Sequence, residues 1–324
     1  MRTRDSVVWH WDVSLRARLI FWFFRIFVKP VFTLWPLTDK GIDKLAWLDQ
    51  LVARRLPVPK GLDVEQFTLG GVPSERVNHP HKASGALEGA TILYFHGGGF
   101  VFCGPETHRP MCGMLAAKAG VPVISVAYRQ LPEGAIEVSL SDAMNAYTDL
   151  LETCENPEKI IVAGDSAGGY LAMKVAEIAA LRGLTPPAAV LGFSPLLNVD
   201  MEDHDPDFMK LDAYLPMSQV TKLKDRWLEG SESIIGAQSP VRADPSLFPP
   251  VFFSSAQYEI MRPDIEITTE NFDRVGKTIE THIWSGQIHA FPVIGKSLRE
   301  SREIVRSAVA FSERALDTSA RRSA

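Results

Sequence analysis

Six short apolar runs alternate with helix-like stretches through most of this chain, and no other feature limits the possible folds as tightly. The runs are Thr91–Phe95, Pro122–Tyr128, Lys159–Ala163, Ala188–Phe193, Pro250–Ser254 and Ile279–Trp284. Helical patterning lies between most of them, near 106–119, 137–153, 166–183, 264–275 and 295–315. Strands joined by helices predict a mainly parallel sheet covered on both faces. Ahead of them, Val64–Leu69 and Glu75–Asn78 flank Gly70-Gly71 and read as a leading antiparallel pair. The expected class is therefore α/β: a mainly parallel central sheet, helices on both faces and a helical cap.

A chain of 324 residues is long enough to bury one large core and carry such a cap. Residues 1–60 read as an N-terminal helical cap segment, with Pro57, Pro59 and Gly61 punctuating its junction with the main body. Residues 61–199 and 237–324 supply the core. Between them, 200–236 breaks the alternation with a polar, helix-like stretch around Val220–Leu228, read as a second cap insertion.

Within the first segment, residues 15–35 are strongly apolar, but Arg16, Arg18, Arg25 and Lys29 interrupt them. That excludes a clean span of about twenty uncharged residues. No small-residue cleavage site follows, so a signal peptide fits poorly. At helical spacing Arg18, Arg25 and Lys29 share a narrow stripe, which makes an amphipathic helix with a wide apolar face, broken near Pro30. Two readings stay open: a helix packed over a substrate pocket, and a peripheral contact with a membrane surface.

The net charge of −5 and the absence of any basic tract beyond Arg321-Arg322 give no reason to expect nucleic acid as a partner. Three cysteines (Cys103, Cys112 and Cys154) cannot form a disulfide framework and match no zinc spacing. A reducing, cytoplasmic compartment is the simplest expectation, with no metal and no cofactor.

The chemistry centres on Gly164-Asp165-Ser166-Ala167-Gly168, which sits between an apolar strand and a helix. This fits the G-x-S-x-G nucleophile elbow, where flanking glycines let strand and helix crowd together and lift the serine hydroxyl above the sheet. A helix N-terminus with unpaired N–H groups then points at whatever bonds there. His96-Gly97-Gly98-Gly99-Phe100 follows the strand Thr91–Phe95 and exposes backbone N–H groups. Gly97 and Gly98, with Ala167, are the expected donors of an oxyanion hole. Phosphate cradling is the rival reading, and no Lys-Ser/Thr pair follows the glycines to support it.

Among eight histidines, His10, His79, His81 and His204 sit in polar stretches, and His96 reads as a brace for the glycine loop. His289 is the expected base, because it follows the last strand and so lies at the same sheet edge as Ser166. The acid should follow Pro250–Ser255, where Glu259 and Asp264 are the candidates. Asp264 comes just after Pro263 at a helix start, where a carboxylate has a structural role; Glu259 is left as the better partner for the imidazole.

These motifs together resemble the hormone-sensitive-lipase-like family of α/β-hydrolases, the bacterial family IV esterases. The resemblance covers roughly residues 85–295. It rests on His96–Gly99, on Tyr128-Arg-Gln-Leu-Pro-Glu133, on Gly164–Gly169, on Ser194-Pro195 and on Ile288-His-Ala-Phe291. It implies Ser166 as nucleophile, Gly97, Gly98 and Ala167 as oxyanion donors and His289 as base. The acid falls at Glu259, where the family more commonly has aspartate.

The resulting expectation is a serine carboxylesterase acting on a small-molecule ester through an acyl-serine. Phe100, Phe102, Tyr214, Leu215 and the 15–35 helix are the expected lining of an apolar pocket for short- to medium-chain acyl groups. Two alternatives remain: an amidase or arylformamidase with the same triad, and a non-catalytic small-molecule receptor on the same fold. A homodimer through an edge strand or the last helix is expected only by analogy with other proteins of this fold.

Overall fold

The structure is a computed structural model that describes residues 6–56, 58–201 and 206–323. Pro57, expected at the cap junction, His204 and the stretch 202–205 of the expected second cap lie outside the described residues. In chain order the strands are β1 Val7–His10, β2 Asp63–Leu69, β3 Val72–Asn78, β4 Thr91–Phe95, β5 Val123–Val126, β6 Ile160–Asp165, β7 Ala189–Phe193, β8 Val251–Ala256 and β9 Ile279–Trp284. They form one sheet in the order β1-β9-β8-β7-β6-β4-β5-β3-β2. Only the β2–β3 and β3–β5 pairs are antiparallel.

Alternate residues of the central strands enter two separate cores, as the two-residue period of a strand requires. Leu93, Phe95, Val162, Val190 and Phe253 face one core. Ile92, Tyr94, Ile161, Leu191 and Phe252 face the other. The first core is closed by α5 (Ile136–Thr153), α6 (Ala167–Leu181) and α9 (Arg262–Arg274). The second is closed by α4 (Pro105–Ala119) and α10 (Arg299–Ser323). Fully buried strands explain why the apolar runs are continuous and do not alternate.

The cap is built from two separate stretches. The first holds α1 (Leu15–Phe23), a π-helical turn (Phe24–Val28), α2 (Lys29–Leu34) and α3 (Asp39–Ala53). The second holds the single turn α7 (Pro206–Met209) and α8 (Met217–Trp227). Arg25 donates to the carbonyls of Leu211 (2.9 Å) and Asp212 (3.2 Å), and Lys29 to those of Lys210 (3.2 Å) and Asp212 (2.7 Å). These two cations therefore bind one cap stretch to the other. The second stretch returns to the core through Lys174, a fully buried lysine on α6. Its ammonium donates to the carbonyls of Ile235 and Ala237, both at 2.7 Å, and pairs with Glu177, which also accepts the Ala237 N–H at 2.8 Å.

Two expectations need correction here. Residues 7–10 are not part of a helical cap: β1 pairs in parallel with β9, from Val7 opposite Thr281 to His10 opposite Trp284. A four-residue edge strand carries too short a pattern to stand out beside the helices that follow. Nor does the first helix break at Pro30. Pro30 enters near the start of α2, directly after the π turn, where the altered hydrogen-bond ladder has room for a residue without an N–H.

Candidate active site

Strand β6 ends in a turn so tight that Ser166 takes φ 51° and ψ −119°, a left-handed conformation uncommon for serine. Such strain costs on the order of 1–3 kcal/mol and persists only where the surroundings enforce it. Here they do. A Cβ at Gly168 would lie 1.9 Å from the Phe95 carbonyl oxygen, and one at Gly164 would lie 2.3 Å from the Gly168 oxygen. Ser166 itself caps the N-terminus of α6, with its N–H bonded to the Phe193 carbonyl at 3.1 Å.

Asp165, the residue before it, is buried and gathers three donors on one oxygen. They are the Tyr94 hydroxyl (2.7 Å), the Gly97 N–H (3.0 Å) and His108 Nε2 (3.3 Å). Burial pushes the Asp165 carboxyl up, but the charge and hydrogen bond of His108 outweigh it and leave it below the usual range. The same pairing raises His108 against the opposing effect of its own burial.

This arrangement corrects the expected oxyanion donors. The N–H of Gly97 is spent on Asp165, and a Cβ there would lie 2.2 Å from the carboxylate. Gly97 is thus the point where the elbow and the glycine loop are joined. Gly98 and Gly99 line the cavity instead. Their N–H groups and that of Ala167 make no hydrogen bond among the described residues. Gly98 sits at φ 114°, a region closed to other residue types.

The loop is held from behind by the Tyr128–Glu133 motif. Tyr128 donates its hydroxyl to the His96 carbonyl at 2.6 Å and stacks on the His96 ring at 4.3 Å between centroids. Leu131 N–H bonds the Phe100 carbonyl at 2.8 Å, and Arg129 is fixed by Asp142. Burial, with His108 nearby, lowers His96 to about 3, so it stays neutral and acts as packing.

Past β9, His289 Nδ1 lies 3.0 Å from Glu259 Oε2, with both side chains buried. The other Glu259 oxygen accepts from the Ser255 hydroxyl at 2.7 Å. His289 Nε2 is buried and makes no hydrogen bond to any described residue. Burial pushes the imidazole down, but the Glu259 hydrogen bond and charge, with Asp212 and Asp165 further off, leave it above the ordinary histidine value of 6.5. The loop is set by Ser194, whose hydroxyl accepts the Ala290 N–H at 3.0 Å. Asp264 takes no part: it lies in the first turn of α9 and accepts from Asn198 at 3.2 Å.

Ser166, His289, Gly98 and Gly99 open on one cavity of about 360 Å³ with a largely apolar wall. Phe102, Tyr214 and Leu215 are part of that wall, as is the first cap stretch through Phe24 and Phe32. Phe100 is not. It is buried with its ring edge-on to Tyr128, Tyr170 and Trp227, because its left-handed backbone (φ 58°) turns the side chain away from the cavity. Cys103 lines the cavity too, and burial raises its thiol well above the usual value, the reverse of a reactive thiolate.

Three residues here escaped the reading of motifs. His108 shares the inward face of α4 with Met111, Cys112 and Leu115, and that spacing was the one available sign of it. Trp227 ends an apolar stripe with Val220 and Leu223, and its indole N–H donates to the Gly99 carbonyl at 2.8 Å. Asp212 is buried and accepts the N–H groups of Tyr214 and Leu215, both at 2.8 Å, and of Ile260 at 3.0 Å. Burial raises its carboxyl despite the nearby His289 and those three donors. Nothing in the local sequence marks it.

With this geometry in view, a family model described as the α/β hydrolase fold matches residues 92–293. The chain is 28% identical over 314 residues to the carboxylesterase/phospholipase LipF of Mycobacterium tuberculosis, covering 92% of this chain and 83% of that one. It is 30% identical over 251 residues to the esterase LipU of the same organism, covering 70% and 82%. Among solved structures, a hormone-sensitive lipase from a metagenome library superposes with a TM-score of 0.79 at 25% identity, over 94% of this chain and all of that one.

Proposed function

Because this chain is a carboxylesterase of the hormone-sensitive-lipase-like α/β-hydrolase family, we propose that Ser166, His289 and Glu259 carry the reaction in the apolar-walled cavity that Ser166 and His289 line. Ser166 Oγ attacks the ester carbonyl while His289 Nε2 takes its proton. His289 then returns that proton to the leaving alkoxide, and Glu259 holds the imidazolium through Nδ1. Water resolves the acyl-serine by the same route. The charge on the tetrahedral oxygen is met by the N–H groups of Gly98, Gly99 and Ala167; one such donor is typically worth about 3 kcal/mol of barrier.

One observation carries this reading: His289 is held by Glu259 at 3.0 Å through one nitrogen, while the other makes no hydrogen bond to any described residue, and His289 and Ser166 line the same cavity. The His96–Phe100 loop supports it with the Gly98 and Gly99 N–H groups, which bond no described residue, on the cavity that Ser166 lines. A cavity of about 360 Å³ is at the small end of the range for ligand sites, which favours esters of short to medium acyl chains.

The test is a p-nitrophenyl ester series run on the intact protein and on Ser166→Ala. Loss of turnover by about six orders of magnitude is the expected result, together with organophosphonate labelling confined to Ser166. Near-full turnover by the variant, or a label on another residue, defeats the assignment. Paired rates on an ester and its matching amide separate this reading from the amidase alternative, where the amide is turned over at least as fast.

A further inference from the structure

The helix at residues 15–34 is apolar on both sides, and its outer side is exposed among the described residues. Its inner side is accounted for: Ala17 is buried, and Phe24 and Phe32 line the catalytic cavity. The outer side carries Leu15, Leu19, Trp22, Ile26, Phe27 and Val31, with Leu34 at its end. Trp22 is 57% exposed, Phe27 62% and Leu34 82%. A helix apolar all round belongs in a core or in lipid, and single exposed side chains would need no comment. Here they form a continuous strip along five turns, which does.

The charges indicate the occupant. Residues 13–38 contain Arg16, Arg18, Arg25 and Lys29 and no acidic side chain, in a chain whose net charge is −5. Arg25 and Lys29 are turned inward onto the carbonyls of residues 210–212. The outer strip is therefore uninterrupted from Leu19 to Phe27, while Arg18 is exposed one turn before Trp22. A basic border, an apolar strip and a tryptophan at its edge suit the boundary between lipid headgroups and acyl chains. A second copy suits it poorly, since a twofold pairing sets this acid-free basic helix against itself. No helix among the described residues is long and apolar enough to cross a membrane, so the contact is a shallow one.

We propose that the outer face of the 15–34 helix docks on an anionic lipid surface and holds the catalytic cavity, whose wall the inner face forms, against that surface. The inference goes beyond the catalytic reading and stands without it, because docking is read by partition alone.

The experiment is co-sedimentation of the full chain with phosphatidylcholine vesicles, with and without phosphatidylglycerol. The intact protein is expected to pellet with the anionic vesicles and to be released by salt. Leu19→Ser/Trp22→Ser/Ile26→Ser is expected to lower that partition by about tenfold or more. Its far-UV circular dichroism and its turnover of a soluble acetate ester should remain as in the parent. Arg18→Gln should lower partition about fivefold, the effect of one basic residue near an anionic surface. Intact protein that stays in the supernatant overturns the proposal, as does undiminished pelleting of the triple variant. A third outcome also overturns it: a dimer seen by light scattering that the triple substitution dissolves, in a protein that ignores vesicles, makes this face an interface between copies.

Discussion

Trp227, the last residue of α8 in the cap, donates its indole N–H to the carbonyl oxygen of Gly99 at 2.8 Å. A cap helix is thereby bonded directly to the glycine loop, on the peptide next to the proposed oxyanion donors. The cap thus does more than cover the cavity: it also bonds the loop that carries the proposed oxyanion donors.

Trp227→Phe keeps an aromatic ring beside Phe100 but removes the donor together with one ring of the buried indole. The part-buried Gly99 carbonyl loses its partner, an effect of about 0.5–1.5 kcal/mol. Because the loop is then free to tilt, kcat is expected to fall about tenfold or more with KM little changed. Steady-state kinetics on a short-chain ester check this; a change confined to KM would place Trp227 in substrate binding instead.

The proposed base predicts the acid side of the pH profile. His289 works only when neutral, and its partners leave it above the ordinary value of 6.5. The acid limb of kcat/KM is therefore expected to inflect above that value, with activity lost as pH falls through it. In Glu259→Gln the charge that raises the imidazole is gone and burial dominates, so the limb moves to lower pH. The plateau should fall on the order of 10⁴-fold, as when a triad acid is replaced by its amide. His96, already lowered to about 3, contributes nothing to this limb.

Asp212 accepts three backbone N–H groups and lies close enough to His289 to raise it. Asp212→Asn turns one acceptor oxygen into a donor that faces an N–H, which is expected to cost about 1–3 kcal/mol of stability. Removing its charge also moves the acid limb to lower pH, less far than Glu259→Gln does. Thermal melts and a pH profile of the same variant measure both effects, and a purely structural role would leave the limb in place.

Phe32 lines the cavity between Phe102 and Tyr214, at 6.1 Å from each ring. Phe32→Ala opens the wall without touching the proposed triad. The ratio of kcat/KM for the octanoate over the butyrate ester is expected to rise roughly tenfold, the scale of discrimination a hydrophobic pocket achieves per methylene or so.

Lys174 and Glu177 pose a test of stability. Lys174→Met strands a buried carboxylate and two carbonyls, and is expected to destabilise the fold by about 3–5 kcal/mol. Lys174→Met/Glu177→Leu removes both charges and should recover part of that loss. Denaturant unfolding of the two variants gives the comparison.

The central strands and their helices were legible because buried strands demand long apolar runs and the elbow demands glycines at fixed offsets. Thr91–Phe95 and Ile279–Trp284 fall where those runs end. The candidate site was legible in its loop residues, where the proposed triad of Ser166, His289 and Glu259 follows strand ends. What stayed hidden depends on three-dimensional partners. The N–H of Gly97 resembles that of Gly98 on the page, and only the Asp165 carboxylate beside it separates their roles. Phe100 and Phe102 look equally suited to a pocket wall, and a positive φ at Phe100 turns one of them inward. Asp212 acts through backbone amides of a distant loop, for which sequence carries no pattern.

The pairing of β1 with β9 bears on how this protein is trimmed. Truncation from the N-terminus through the lid helix would strip more than a lid, since Val7–His10 leaves with it and the backbone of Thr281–Trp284 is laid bare. That stretch leads straight into the His289 loop, so the damage from an unpaired border reaches the reaction centre and invites sticking between molecules. An excision that starts after Asp12 and spares the first strand is the cut that separates the lid's contribution from the sheet's.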